Sequence, residues 1–432
     1  MRRISIVTLM AALVLLSGCN KDNEFNNSVD IDINNSSEVP IKLGTYGATS
    51  ATTRASIESL DEMVGNDEHR VGVFCLAARR TDVKSAQTES DINWTTPVDS
   101  PSGDGLYGDD YGSSTNGRYW DNLCCEVKNV NGEYRIVPVQ EGDDNYKPYY
   151  QYYPITSVFG YDFYSYYPYQ DNAKVTCNKS SVYVNFAITG KEDIIYGKSE
   201  DVNDAYFSGL NVSTELLESL KKSYYSAKFF RKNPKKTDNA HIKLEHKLAR
   251  FRFHVFPGPD SEYEEPKSYD DAKKLCVKEI KINQVPNQLR LVVADRANKN
   301  NAGTLSAVGS SKSDFYVFTE GGAALEDSPV VLGTKVEDGV IVPDTMEVGD
   351  YMMLPSGVSQ YFMSVKLADA NNPDRIYPSE TNIAINLKNG KKFEPGKTYN
   401  VYLQVAGLKE IGISAELADW EEGDEMDLVE FN

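Results

Sequence analysis

The chain has 432 residues, with 64 Asp and Glu against 45 Lys and Arg, for a net charge of −19. That acidic excess excludes a nucleic-acid binder, which needs a basic face, and favours solubility outside the cell. Hydrophobic residues make up 40%, enough for folded cores, and the length suits two domains of about 200 residues each.

Residues 1–18 carry Arg2 and Arg3, then an apolar run from Ile4 to Leu16, then Ser17 and Gly18 before Cys19. The run is too short for a bilayer of about 30 Å, and the basic start is that of an export signal. Its end, LSGC, is a lipobox pattern and closely resembles the terminus of bacterial lipoproteins. That resemblance implies cleavage before Cys19 and a thioether-linked lipid on it, a firm anchor once multiply acylated. The plainer alternative is an ordinary signal peptide followed by a chance cysteine. Cys75, Cys124, Cys125, Cys177 and Cys276 are an odd set without CxxC spacing, so they make neither a disulfide framework nor a zinc site. Cys75 and Cys276 sit among apolar residues and are expected to be buried free thiols. A vicinal Cys124–Cys125 disulfide stays open, as does the state of Cys177.

Residues 20–37, rich in Asn, Asp and Ser, read as a flexible tether. In the stretch that follows, Val39, Ile41 and Leu43 alternate with Pro40, Lys42 and Gly44, the period of a half-buried strand. A polar run then leads to Arg54 and Ala55, a bond open to a trypsin-like or Arg-specific protease. Residues 19–54 thus read as a tether with a removable strand. The expectation is that this strand completes a β-sandwich until it is cut away, and that the vacated groove takes a strand from another copy.

Further along, SIESLDEMVG is a short helix or turn and Val71 to Ala77 a core strand. Residues 88–118 form a loop by composition. Asp99, Asp104, Asp109 and Asp110 in it invite a calcium reading for residues 99–117, but their spacing is not that of an EF-hand, and a solvated loop is expected. Tyr134 to Tyr169 is dense in aromatics. Such rings either fill a core with their hydroxyls at its rim, which is the expectation, or line a sugar-binding face. Residues 182–188 are a strand, and Thr214 to Lys222 a helix capped by Ser213. The polar, Lys-rich run 233–240 is taken as a boundary between parts 55–238 and 239–432. His241, His246 and His254 fall together on a strand pattern and tempt a metal assignment. With no acidic or thiol ligand joining all three at short range, a structural role is expected, with His246 hydrogen-bonded beside the strand.

The remainder is a succession of short apolar or alternating runs with turn residues between, the pattern of an all-β sandwich. Lys388-Asn389-Gly390-Lys391 signals a type I′ hairpin, and Pro395-Gly396 a turn before TYNVYLQVAG. Near the end Ile411, Ile413, Ala415 and Leu417 alternate, and Trp420 is expected to close the fold. Met426 with Leu428, and Val429 with Phe431, form two interleaved faces of a candidate donor strand. GxSxG, HExxH, Walker and GxGxxG constellations are absent in a supporting context. The expectation is a non-enzyme with no cofactor and no metal.

Several of these segments together are similar to the fimbrillin family, subunits of the type V pili of Gram-negative bacteria. They are the lipobox ending at Cys19, PIKLGTYGATSATTRA, VGVFCLA, FYSYYPY, DIIYG, LEHKLARFRFHVF, PGKTYNVYLQV and ISAELADW. The resemblance implies two tandem transthyretin-like β-sandwich domains and export as an outer-membrane lipoprotein. It also implies removal of the prosegment between Arg54 and Ala55 by an arginine-specific protease. Assembly with other pilus subunits into a fimbrium would follow by β-strand exchange, in support of adhesion. Met426 to Phe431 is less regular than a stalk donor strand, so stalk, tip and anchor positions all stay open. The alternative is a monomeric surface lipoprotein that binds glycans or host proteins through its aromatic-rich faces.

Overall fold

The computed structural model describes residues 39, 41–47, 59–66, 68–80, 92–95, 118–141, 146–148, 153, 159–202, 207, 213–223, 225–232, 240–261, 266–319, 321–377, 380–387, 390–406 and 411–418. The first half holds β1 (Leu43–Gly47), β2 (Val71–Arg80), β3 (Arg118–Val130), β4 (Glu133–Glu141), β5 (Tyr146–Pro148), β6 (Phe159–Tyr167), β7 (Val175–Cys177), β8 (Ser181–Ala187) and β9 (Ile195–Ser199). Helix α1 (Leu60–Met63) follows β1, and α2 (Thr214–Ser223) and α3 (Ala227–Lys232) follow β9. Next come β10 (Ala240–His246), β11 (Leu248–Pro257), β12 (Leu275–Pro286), β13 (Gln288–Asp295), β14 (Leu305–Ala307), β15 (Lys312–Tyr316), β16 (Val330–Val331), β17 (Gly333–Glu337) and β18 (Val340–Asp344). The last strands are β19 (Met346–Glu347), β20 (Met352–Pro355), β21 (Gln360–Asp369), β22 (Asn372–Ile376), β23 (Glu380–Asn386), β24 (Thr398–Val405) and β25 (Ile411–Ala418).

The fold is all-β, as the alternating runs predict. Its largest sheet has the order β1-β10-β9-β6-β2-β3-β4-β5, and β1 also pairs with β4. That second pairing closes the sheet on itself. A closed sheet has no bare edge to satisfy, and here β1 is the strand that closes it. A second sheet, β14-β13-β8-β7, covers β6 from outside. Strand β6 is accordingly buried on both faces: Phe163 packs on Trp120, Tyr153 and Tyr225 on one side, while Tyr166 meets Phe74 and Phe186 on the other. Tyr161, Tyr164 and Tyr166 of β6 thus fill the core, with hydroxyls tied at its margins, as where Tyr166 donates to Asn122.

The remaining strands make two sheets, β19-β11-β24-β25 with β20 on β11, and β15-β12-β21-β22 with β16 on β12 and β23 on β21. Phe251 of β11 lies 5.6 Å from Tyr361 of β21, 4.9 Å from Phe393 and 5.5 Å from Tyr399 of β24. These rings join the two sheets into a sandwich. Strands β17 and β18 form a separate hairpin.

The sheets cross the sequence at several points. Strand β10 belongs to the first sheet and β11 to the sandwich, with Lys247 alone between them, and β13 pairs with β8. Residues on either side of position 238 therefore share sheets.

The Lys388-Asn389-Gly390-Lys391 turn lies partly outside the described residues, which lack Lys388 and Asn389. The strands on either side of it pair elsewhere, β23 with β21 and β24 with β11 and β25. Type I′ chemistry is used at Asn131-Gly132, with φ of 55° and 85°, and at Asp338-Gly339, with φ of 52° and 79°. Helix α2 starts as predicted, with Ser213 Oγ accepting from Leu216 N at 3.2 Å.

Truncating Phe251 leaves a void where both sandwich sheets meet. Phe251→Ala is expected to lower stability by about 3–5 kcal/mol, read in urea titration as a lower midpoint with an unchanged slope.

Candidate functional site at strand β1

Strand β1 begins at Leu43, later than the alternation from Val39 predicts, but the apolar row leading into it does enter the core. Val39, Ile41 and Leu43 are 1%, 8% and 1% exposed, so the apolar row of the alternation points inward. Leu43 faces Ala240 of β10 and Ile136 of β4, and Gly44 faces His241 and Arg135. Pairing with β10 is parallel and runs on to Gly47 opposite Leu244; pairing with β4 is antiparallel. Upstream, the Val39 carbonyl accepts from Tyr153 N at 2.8 Å. Inside, the Thr45 hydroxyl donates to the Ile242 carbonyl at 3.0 Å. Burying each of the three apolar side chains contributes about 1.5–3 kcal/mol.

The outward row is Lys42, Gly44 and Tyr46. Tyr46 is half exposed, and its hydroxyl donates to the carboxylate of Glu200 after β9. That bond, then partial burial, pushes its phenol up to about 12. Two glycines set how closely β1 lies against β10. Gly47 has φ of +89°, and an added Cβ would fall against the Leu244 carbonyl oxygen. At Gly44 an added Cβ would lie 2.5 Å from the His241 ring.

No family model matches the chain, and no curated protein sequence matches it. Among solved structures it is similar to a protein assigned to cell adhesion from Bacteroides uniformis, at 10% identity over 89% of this chain and 98% of that one, with a TM-score of 0.41. It is likewise similar to a fimbrial protein from Bacteroides vulgatus, at 12% identity over 88% and 99%, with a TM-score of 0.41. A third is the fimbrial anchor protein Mfa2 from Porphyromonas gingivalis, at 9% identity over 88% and 98%, with a TM-score of 0.27.

Other residues singled out in the sequence fall elsewhere. Cys19, Arg54, Ala55, Met426, Leu428, Val429 and Phe431 lie outside the described residues, as do Asp99, Asp104, Asp109, Asp110 and Trp420. The three histidines are not brought together. His246 is buried, with Nδ1 2.7 Å from Asp193. His254 stacks on Tyr402 at 4.8 Å and reaches Asn400 at 3.1 Å. His241 faces Glu133 at 3.5 Å. Among the described residues no group of three or more His, Cys, Asp or Glu could hold a metal ion. Cys75, Cys125 and Cys276 are buried, and these with Cys124 and Cys177 are free thiols. Burial pushes Cys75 and Cys125 well up, which makes them inert rather than reactive. Among the described residues no helix is long and apolar enough to cross a membrane.

Sequence reasoning missed the partners of β1. Glu133, Tyr153, Glu200 and His241 come from four distant stretches, and nothing local in the sequence brings them together. The glycines were the available signal, since Gly in a strand marks close backbone approach.

Gly47→Ala places a side chain in the left-handed region against a backbone oxygen. It is expected to weaken the seating of β1 by about 1–3 kcal/mol, seen as faster amide hydrogen exchange across residues 41–47 while β21 and β24 keep their protection.

Proposed function

We propose that the chain is a structural subunit of a cell-surface pilus. On this reading it is exported as an outer-membrane lipoprotein anchored through Cys19, is cut after Arg54 by an arginine-specific protease, and polymerises by β-strand exchange in support of adhesion. The observation that carries the reading is the seat of β1. The strand is hydrogen-bonded on both edges and buried on its inner row, yet only residues 48–59 join it to α1. A cut at Arg54 falls in that connection and leaves β1 held by non-covalent contacts alone.

Departure of β1 would bare one edge of β10 and one of β4 and expose the apolar row that Val39, Ile41 and Leu43 cover. Unpaired edges beside an apolar groove are the template for strand addition. A neighbouring subunit's strand, with Met426, Leu428, Val429 and Phe431 as this chain's own candidate donor, would restore both. Polymerisation then needs the cut and no further energy source.

The reading as a monomeric binder working through aromatic-rich faces draws nothing from Tyr153, Tyr161, Tyr164 and Tyr166, which are buried. A catalytic reading finds no foothold in the buried charged pairs either. Arg70 holds Glu126 at 2.6 Å and His246 holds Asp193 at 2.7 Å, each pair serving to satisfy a buried charge.

Limited trypsin treatment of the purified precursor is expected to remove residues 1–54 and then give ladders of higher oligomers on a gel. Cleavage that leaves only monomer counts against assembly. In cells, Arg54→Ala is expected to keep lipidated precursor on the membrane and abolish fibres under the electron microscope, and normal fibres from that variant would move the cut site. Deleting Asp427 to Asn432 should stop chain growth while leaving cleavage intact.

A further inference from the structure

The outer face of β1 carries a feature that the release reading does not use. Lys42 and Tyr46 on the outward row are exposed, but Gly44 between them is buried. It is buried because side chains from both neighbouring strands meet above it. His241 of β10 reaches from one side and Glu133 of β4 from the other, with Nε2 and Oε1 3.5 Å apart. A Cβ at position 44 would stand 2.5 Å from His241 Cδ2, 2.7 Å from Nε2 and 3.4 Å from Glu133 Oε1. The two side chains thus close over the α-carbon of β1, and only glycine leaves room for them.

We propose that His241 and Glu133 form a pH-gated strap across β1, closed when His241 is protonated and open when it is neutral. The inference rests on the reading that β1 leaves the fold. The strand's inner row is packed against the core, so its way out is across the outer face, beneath this contact.

The charges around the pair suit that role. Arg135 of β4 holds the other oxygen of Glu133, at 2.6 Å from one terminal nitrogen and 2.9 Å from Nε. Glu200, after β9, donates its backbone N–H to the His241 carbonyl at 2.9 Å and takes the Tyr46 hydroxyl on its carboxylate. Lys243, next along the outer row of β10, is itself paired with Glu245 at 3.1 Å. The His241 and Glu133 side chains are 33% and 38% exposed, so protons reach the imidazole from solvent. An imidazolium attracts the carboxylate across this contact and draws β10 and β4 together over β1. A neutral ring gives up the ionic attraction, so the two side chains part more readily.

The test follows the fragment that contains β1. Full-length precursor is nicked with low-dose trypsin, and dissociation of residues 1–54 is timed by size exclusion and mass spectrometry at about pH 5.5 and about pH 8. Release is expected to be about threefold slower at the lower pH, the size of effect a solvent-exposed ion pair supports. Glu133→Gln, His241→Gln and Gly44→Ala, the last of which wedges the ring away, should each make the two rates equal. His254→Gln, on β11, should keep the difference. Equal rates in the unmodified chain, or a pH effect that survives Glu133→Gln, overturn the strap. A fragment that never dissociates at either pH overturns the release reading instead. In that case hydrogen exchange of residues 41–47 in the uncut chain decides: slower opening at low pH that depends on Glu133 supports the strap, and equal opening refutes it.

Discussion

The largest sheet depends on one short strand having a neighbour on each side. Leu43 and Gly44 lie between β10 and β4, and through them a linear array of strands becomes a ring. Every buried peptide group must find a partner. A sheet that closes on itself meets this demand with its own strands, whereas the same sheet without β1 would carry two bare edges beside an apolar row. Three inward side chains and a handful of backbone bonds therefore separate a self-contained body from one that invites addition of a strand.

The seat is not assembled by the first sheet alone. Strand β10, the parallel partner of β1, passes into β11 of the sandwich across the single residue Lys247. That passage is clamped on both sides. Lys247 N donates to the Ile194 carbonyl at 2.7 Å, and its own carbonyl accepts from Ser356 Oγ at 3.0 Å. The buried His246–Asp193 pair sits immediately before it, and Gly396 N donates to Leu248 O at 2.8 Å immediately after. Burial lowers the Lys247 ammonium's pKa, and its Nζ lies over the Tyr196 ring, 5.2 Å from the centroid. One edge of the β1 seat is thus held from the sandwich as well as from the ring, which keeps the groove's shape preorganised.

Much of this was legible locally. The alternation at Val39, Ile41 and Leu43 marked the buried row, although the strand itself begins only at Leu43 and runs on through Thr45 to Gly47 in what read as a polar run, and Ser213 marked the start of α2. The tyrosines of β6 were correctly read as core, because a run in which both faces are aromatic needs cover on both sides. What could not be read were relations between distant segments. The Asn389-Gly390 pair carries the same dihedral preference as Asn131-Gly132, yet only the latter is flanked by strands that pair with each other. Periodicity also joined His241, His246 and His254 into one strand, whereas the break at Lys247 sends His254 into another sheet. Glu133 and His241 meet over Gly44 only because the ring closes, and no window of sequence contains all three.

The geometry of the seat also limits what could fill it. Apolar side chains at alternate positions are common to most half-buried strands, so burial alone selects little. Position 44 lies beneath the His241–Glu133 contact, and position 47 needs a positive φ against a backbone oxygen. A strand with a bulky residue at the first position must push the two side chains apart, and one with a β-branched residue at the second must shift away from β10. Met426 to Phe431 offers apolar side chains but no glycine between them, so its seating as a donor would part His241 from Glu133 and set the donor further from β10. On the strand-exchange reading, steric fit at these two glycines discriminates between donors that the hydrophobic effect would treat alike, and β1 is held by a seat shaped to its own sequence.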